Sequence, residues 1–114
     1  MNAFEISNLQ SEIERSGQRW LEFLRVPALS AGLYRLLARV GPAGGNDPQQ
    51  PHTEDEIYYV IRGRARFRAG TEDRAVAPGT VLFVPGGVEH CFHSISEDLV
   101  LLVVFAPAEG TRAM

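Results

Sequence analysis

Three side chains able to bind a metal or transfer a proton, His52, Glu56 and His90, lie at the edges of apolar segments. Glu56 opens the segment EIYYVI, and strand geometry predicts that Glu56, Tyr58 and Val60 share one face. A carboxylate buried on such a face must be paired, hydrogen-bonded or bound to a metal. Imidazole and carboxylate together suit zinc, iron, manganese, nickel or cobalt. The sequence therefore predicts a site for one divalent transition metal with positions left open for a substrate.

Each of these side chains also has a simpler interpretation. His52 can be a loop histidine in solvent, and Glu56 can pair with an arginine of the strand that follows. The neighbouring Glu54 is expected to be solvated and is kept only as a substitute ligand. His93 is expected on the opposite strand face from His90, at the surface or in an interface. Cys91 also faces away from His90 and is expected in the core.

Composition excludes several classes of function. The chain has 114 residues and a net charge of −3, which predicts one domain and no nucleic-acid partner. All 11 basic residues are arginine, so lysine chemistry is excluded. One cysteine and an N-terminus with acids but no apolar signal segment favour a cytoplasmic protein. The longest apolar run, 99–106, is too short to span a membrane, so no membrane partner is expected.

The remaining sequence predicts one helix followed by strands and turns. SNLQSEIERS, residues 7–16, has a helical pattern with Ser7 or Asn8 as cap and Gly17 as terminator. Short strands are predicted over residues 20–26, 32–40, 56–63, 64–70, 80–85, 90–95 and 99–107, with TEDR (71–74) as a turn. Many short strands separated by Gly and Pro turns favour an antiparallel sandwich or barrel.

The spacing of two segments resembles the two motifs of the cupins. In the first, Gly44 is followed by five residues, then Gln50-Pro51-His52, three residues, Glu56, six residues and Gly63. In the second, Gly79 is followed by five residues, then Pro85-Gly86-Gly87, two residues, His90, three residues and Ser94. Gln50 stands where the first motif has a histidine, and Ser94 where the second has an asparagine. The chain is thus similar to a small single-domain cupin.

This resemblance implies a fold, a ligand set and an assembly. The expected fold is an all-β cupin jelly-roll β-barrel with a short N-terminal helix, the barrel spanning about residues 18–107 of a single domain, 1–114. The implied metal ligands are Gln50, His52, Glu56 and His90. Small cupins are usually homodimers, and two-sided burial predicted for 20–26 and 99–106 fits an interface. Tyr58 and Phe92 are candidate pocket residues because they share strand faces with Glu56 and His90. The further candidates are Tyr34, Arg35 and Phe83.

Three functions follow, because cupins support many chemistries. The first is a metal-dependent enzyme acting on a small organic molecule by dioxygenase-, isomerase- or lyase-type chemistry. The second is a module that binds or senses a small ligand or metal without turnover. The third is a metal-free cupin that uses His52 or Glu56 as general acid or base. Intact His52, Glu56 and His90 favour the first over the third.

Overall fold

The computed structural model describes residues 1–39, 47 and 52–111, which form one helix and six strands. Gln50 and Gly44 lie outside the described residues. The helix α1 is Ile6–Ser16, and the strands are β1 Trp20–Val26, β2 Leu29–Leu36, β3 Asp55–Ala69, β4 Glu72–Val76, β5 Val81–Val84 and β6 His90–Ala106. No helix in the described part of the chain is long and apolar enough to cross a membrane.

The six strands form one antiparallel sheet in the order β1-β2-β6-β3-β4, with β5 also paired to β3. The long strand β3 is central because β6 pairs with it along most of its length. Its other edge is divided between two strands, with 56–59 paired to β5 and 65–69 paired to β4. The segment 56–59, which carries Glu56, is therefore paired on both sides.

The apolar side chains fall into two groups on opposite faces of the sheet. The interior group includes Tyr58, Val60, Phe67, Phe92 and Phe105. The alternation of these residues along β3 and β6 follows from the period of two in strands. The expected all-β fold with a short N-terminal helix is therefore confirmed.

The second apolar group lies beneath helix α1. Leu9 and Ile13 of the helix pack against Leu33 of β2 and Val100 of β6. This contact explains why segment 99–106 is apolar on both faces, since one face lines the interior and the other meets the helix. The two-sided burial is thus satisfied within the chain, and the expected homodimer stays a prediction.

Several element boundaries differ from those the sequence predicts. The two strands predicted at 56–63 and 64–70 form the single strand β3, and those at 90–95 and 99–107 form β6. TEDR was predicted as a turn, but Glu72, Asp73 and Arg74 pair with β3 in strand β4. The helix begins after Glu5, which makes no side-chain capping bond, whereas Gly17 ends it in the left-handed conformation as expected.

Gly63, the last residue of the first motif, lies within a strand. It lies within β3 where the register with β6 shifts, at a φ of 100°. A side chain there would collide with the carbonyl group of Asp98 on β6. Glycine is required because two backbones meet closely at a β-bulge, and this bulge lets β3 bend around the interior.

Candidate metal centre

His52, Glu56 and His90 come together on the same face of the sheet as the interior apolar group. One possible ligand atom from each lies within 4.8 Å of the others. Glu56 comes from the start of β3 and His90 from the start of β6, while His52 lies just before β3. The side chains of Glu56 and His90 are each only 2% exposed. The three sequence-predicted ligands that the structure describes therefore form one cluster.

The tautomer of His90 is set by a backbone carbonyl. Its Nδ1 lies 2.7 Å from the carbonyl oxygen of Val88, which can only accept, so Nδ1 carries the proton. Its Nε2 then faces the cluster, 3.0 Å from Oε1 of Glu56 and 3.1 Å from the hydroxyl of Tyr58. Histidines that bind metals commonly donate their other ring proton to such a carbonyl.

Glu56 is the group that most needs a cation. Its Oε1 is buried and has no hydrogen bond of good geometry among the described residues, although it faces Nε2 of His90. A carboxylate oxygen opposite a neutral ring nitrogen is repulsive, so a proton or metal ion must sit between them. Ligand atoms about 2.1 Å from one ion are about 3 Å apart at a right angle, which fits this pair.

In place of a metal ion, a proton on Nε2 of His90 could lie between the two side chains, and the pKa of His90 is shifted in that direction. Burial alone would lower that pKa, but the contacts with Glu56 and with the Val88 carbonyl outweigh burial and raise it. The carboxylate therefore attracts positive charge to Nε2 of His90. A divalent metal ion would meet the same demand by replacing the proton.

The turn before β6 fixes the segment that carries His52. The amide of Gly87 donates to the carbonyl oxygen of His52 at 2.7 Å. The amide of Gly86 donates to Oδ1 of Asp55 at 2.9 Å. Gly86 also lies so close to the carbonyl of Thr53 that a side chain would collide with it. The Pro-Gly-Gly turn thus connects the segment of His52 with the strand of His90.

A cavity of about 170 Å³ opens beside His52 and Glu56. Its lining residues are mostly aromatic or acidic, namely Trp20, Tyr34, His52, Glu56, Val103, Phe105 and Glu109. The hydroxyl of Tyr34 donates to Oδ1 of Asp47 at 2.6 Å. Burial and the bond to Asp47 raise the pKa of Tyr34 well above its usual range, so Tyr34 keeps its proton.

Two acidic residues take places that the sequence did not reveal. Glu54, expected to be solvated, is buried, and its Oε2 accepts hydrogen bonds from the Thr53 hydroxyl and from the Gly110 amide. Glu109 lines the cavity, with its Oε2 3.9 Å from Nδ1 of His52. Glu109 carries no motif or periodic signal, because long-range folding alone brings it to the site.

The other predicted pocket residues are distributed over the fold. Tyr34 lines the cavity, and Tyr58 and Phe92 are completely buried in the interior group. Arg35 was a candidate, but Tyr34 and Leu36 face the interior, so strand alternation turns Arg35 toward the helix side.

Phe83 was also a candidate and lies elsewhere. It is 63% exposed and pairs with Ile57, which has the opposite facing from Glu56. It therefore lies on the outer face of β5, away from the cavity. The role predicted for Gln50 lies outside the described residues and stays a prediction.

The two side chains expected to face away from His90 behave differently. His93 binds Asp73 at 2.8 Å near the surface, as its predicted facing requires. Cys91 was expected in the core but is only partly buried. It lies on the outer side of β6, where its sulfur accepts a hydrogen bond from Nη2 of the exposed Arg68 at 3.2 Å.

The comparisons with known proteins agree with this geometry. The family model described as Cupin domain matches residues 36–105, more than half of the chain. An uncharacterised protein of Streptomyces coelicolor is 47% identical over 110 residues, covering 96% of this chain and 100% of that protein. The dimethylsulfoniopropionate lyase DddQ of Ruegeria pomeroyi is 32% identical over 65 residues, covering 56% of this chain and 32% of the lyase.

A solved structure extends the likeness to nearly the whole chain. TT1209 from Thermus thermophilus superposes with a TM-score of 0.71 at 25% identity, covering 95% of this chain and 99% of that one. The match to the lyase is local by contrast, since the chain covers about a third of it. The family model, the antiparallel fold and the buried histidine and glutamate cluster lead to one conclusion: the chain belongs to the cupin family.

Proposed function

We propose that this cupin is a metal-dependent enzyme acting on a small organic molecule. The observation that carries the proposal is the cluster of His52, Glu56 and His90, in which Glu56 and His90 are buried and Oε1 of Glu56 lacks a hydrogen bond among the described residues. Two histidines and a carboxylate form a ligand set that suits iron or zinc and leaves positions open. The cavity beside the cluster supplies a place for the substrate.

The residues around the cluster have separable tasks in this proposal. His52, Glu56 and His90 hold the ion, and the Val88 carbonyl keeps Nε2 of His90 directed toward it. The side chains of Trp20, Val103 and Phe105 give the cavity apolar surface for the carbon skeleton of the bound molecule. When bound, the ion supplies Lewis-acid chemistry, or redox chemistry if it is iron or manganese.

The reaction class proposed first is lyase- or isomerase-type chemistry, with dioxygenase chemistry as the form expected for iron. The local similarity to a dimethylsulfoniopropionate lyase supports the first class. Tyr34 holds its proton against Asp47, and Glu109 is a carboxylate able to contact the bound molecule. These two groups provide polar contacts that an eliminating or isomerising site uses to orient its substrate.

The test is metal removal and restoration. Protein stripped with a chelator is reloaded with Fe²⁺, Mn²⁺, Ni²⁺, Co²⁺ or Zn²⁺, and turnover is measured on a panel of small hydroxy, keto and onium carboxylates. Activity should disappear with the metal and return with one of the ions. His93→Ala is the control variant because its ring contacts Asp73 outside the cavity.

Two results contradict the proposal. Protein that binds none of these ions would exclude a metal enzyme and favour the metal-free cupin. Protein that binds metal and small ligands but turns none of them over would favour the non-catalytic binding module.

A further inference from the structure

Besides the metal ligands His52 and Glu56, the cavity is lined mainly by aromatic rings and one further acid. The rings of Trp20, Tyr34 and Phe105, hereafter the aromatic wall, line it together with Glu109. The ring of Trp20 is inclined at 73° to both of the other rings, at centroid distances of 6.3 and 6.1 Å. Tyr34 contributes its ring and an acceptor oxygen but no proton, since Asp47 takes its hydrogen bond.

Glu109 is held in place by its own backbone. Its amide donates to the hydroxyl of Ser30 at 2.9 Å, and its carbonyl accepts from Nη1 of Arg25 at 3.0 Å. The next amide, of Gly110, donates to buried Glu54 at 3.1 Å. Because Ser30 and Glu54 are both buried, the turn is anchored on both sides of Glu109. The backbone that carries the Glu109 side chain is therefore fixed beside the cavity.

The electrostatic surroundings of Glu109 favour a positive ligand. Its carboxylate shares this region with three other acids, Glu22, Glu54 and Glu56, whose negative charges act on it, and His52 opposes their effect. The described residues that line the cavity include no arginine. The hydrogen bonds of Arg25 go to the Glu22 carboxylate and to the Glu109 carbonyl oxygen, not to the Glu109 carboxylate that lines the cavity.

The ion pair with His52 does not account for Glu109. The two side chains are 3.9 Å apart, a weak contact, and His52 is neutral when it binds a metal. A divalent ion adds two positive charges, whereas Glu54, Glu56 and Glu109 together carry three negative charges. The carboxylate of Glu109 lines the cavity 3.9 Å from His52, where a positively charged group of a bound ligand would meet it.

We propose that Glu109 and the aromatic wall recognise a small organic cation. The ligand class is a zwitterion or oxygen-bearing cation whose positive ammonium or sulfonium end lies between the carboxylate and the rings. Aromatic faces attract such groups, and an adjacent carboxylate adds a charge contact in a site shielded from water. The oxygen end of the same ligand faces the metal ligands, so this inference rests on the proposed function.

The test compares two probes of nearly equal shape. Trimethylammonioacetate carries a cationic head, and 3,3-dimethylbutanoate replaces that head with a neutral tert-butyl group. Calorimetry on metal-loaded protein should show trimethylammonioacetate binding at least about 10-fold more tightly than its neutral counterpart. Glu109→Gln should reduce that ratio to about 2-fold or less, whereas Glu97→Gln, an exposed acid outside the cavity lining, should leave it unchanged.

The outcomes separate this inference from the proposed function. Wild-type protein that binds metal but shows no preference for the cationic probe, or binds neither probe, overturns cation recognition alone. Protein that binds no metal overturns the proposed function, while the ratio of the two probe affinities still decides cation recognition in the same sample. If Glu109→Gln does not fold, Glu109→Asp and the wild-type ratio decide the question.

Discussion

Strand β6 carries two histidines three residues apart, His90 and His93, and each is paired with a carboxylate from another strand. The two pairs have contrasting surroundings. His90 lies 3.0 Å from Glu56, and both side chains are 2% exposed. His93 lies 2.8 Å from Asp73, with exposures of 21% and 35%. Distance alone does not distinguish them, so what separates a candidate metal centre from a surface ion pair is their environment.

The surface pair has all its partners. Asp73 also accepts a hydrogen bond from Arg66 at 3.0 Å, and Nδ1 of His93 lies 3.0 Å from the Ser94 hydroxyl. The buried pair instead has a third possible ligand, His52, a cavity beside it, and a Glu56 oxygen without a hydrogen bond among the described residues. A missing partner in a dry site costs more than one at the surface, so only the buried pair demands an ion.

The largest expected effect of a substitution is on metal affinity. Glu56→Gln keeps the shape of the side chain but removes the charge that the ion requires, so affinity should fall by at least about 100-fold. Asp73→Asn, the matched change in the surface pair, should leave affinity within about 2-fold. Competition titration with a chromogenic chelator measures both. Equal losses in the two variants would show that the environments do not differ as described.

A smaller effect is expected on the free energy of unfolding. Metal at about 100 times its dissociation constant should stabilise wild-type protein by about 2.7 kcal/mol, because only the folded chain assembles the site. At the same metal concentration the gain should persist in Asp73→Asn and fall to about 0.4 kcal/mol or less in Glu56→Gln. Urea unfolding with and without metal measures it. A gain retained in Glu56→Gln would place the bound ion elsewhere.

The smallest effect is the pH dependence of the surface pair. Burial opposes ionisation of Asp73, but His93 and Arg66 together outweigh it and lower the pKa of that carboxyl below its usual 3.8. A lowered folded-state pKa gives stability that is present above pH 3.8 and lost as pH falls through the folded value. Asp73→Asn should therefore be slightly less stable than wild type near neutral pH, with the difference vanishing in strong acid. Urea unfolding across this range checks it, and a difference that grows in acid would contradict the assignment.

The sequence predicts much of this contrast because strand alternation is local. Placing Glu56 with Tyr58, and His90 with Phe92, on buried faces requires only a period of two, and the same rule puts His93 on the other side. The helix and its termination at Gly17 are likewise determined by neighbouring residues in the sequence. These features were predictable because neighbouring residues decide them.

The sequence-based predictions that were wrong concern positions determined by contacts between residues distant in the sequence. TEDR looks like a turn by composition, yet pairing with β3 makes it a strand. By its position in the sequence Glu54 is expected in solvent, but the segment that follows β6 folds back so that the Gly110 amide donates a hydrogen bond to it. Glu109 reaches the cavity through the same fold-back, so no pattern around residue 109 could reveal it. Long-range docking determines these positions, and a single sequence does not display it.

The central claim is that a metal ion binds between the buried pair and His52. A crystal structure of metal-loaded protein, with anomalous difference maps on both sides of the metal absorption edge, tests it most directly. The account predicts one strong peak within about 2.0–2.3 Å of nitrogen atoms of His52 and His90 and an oxygen of Glu56. A map with no peak there, or with its strongest peak between His93 and Asp73, would contradict it.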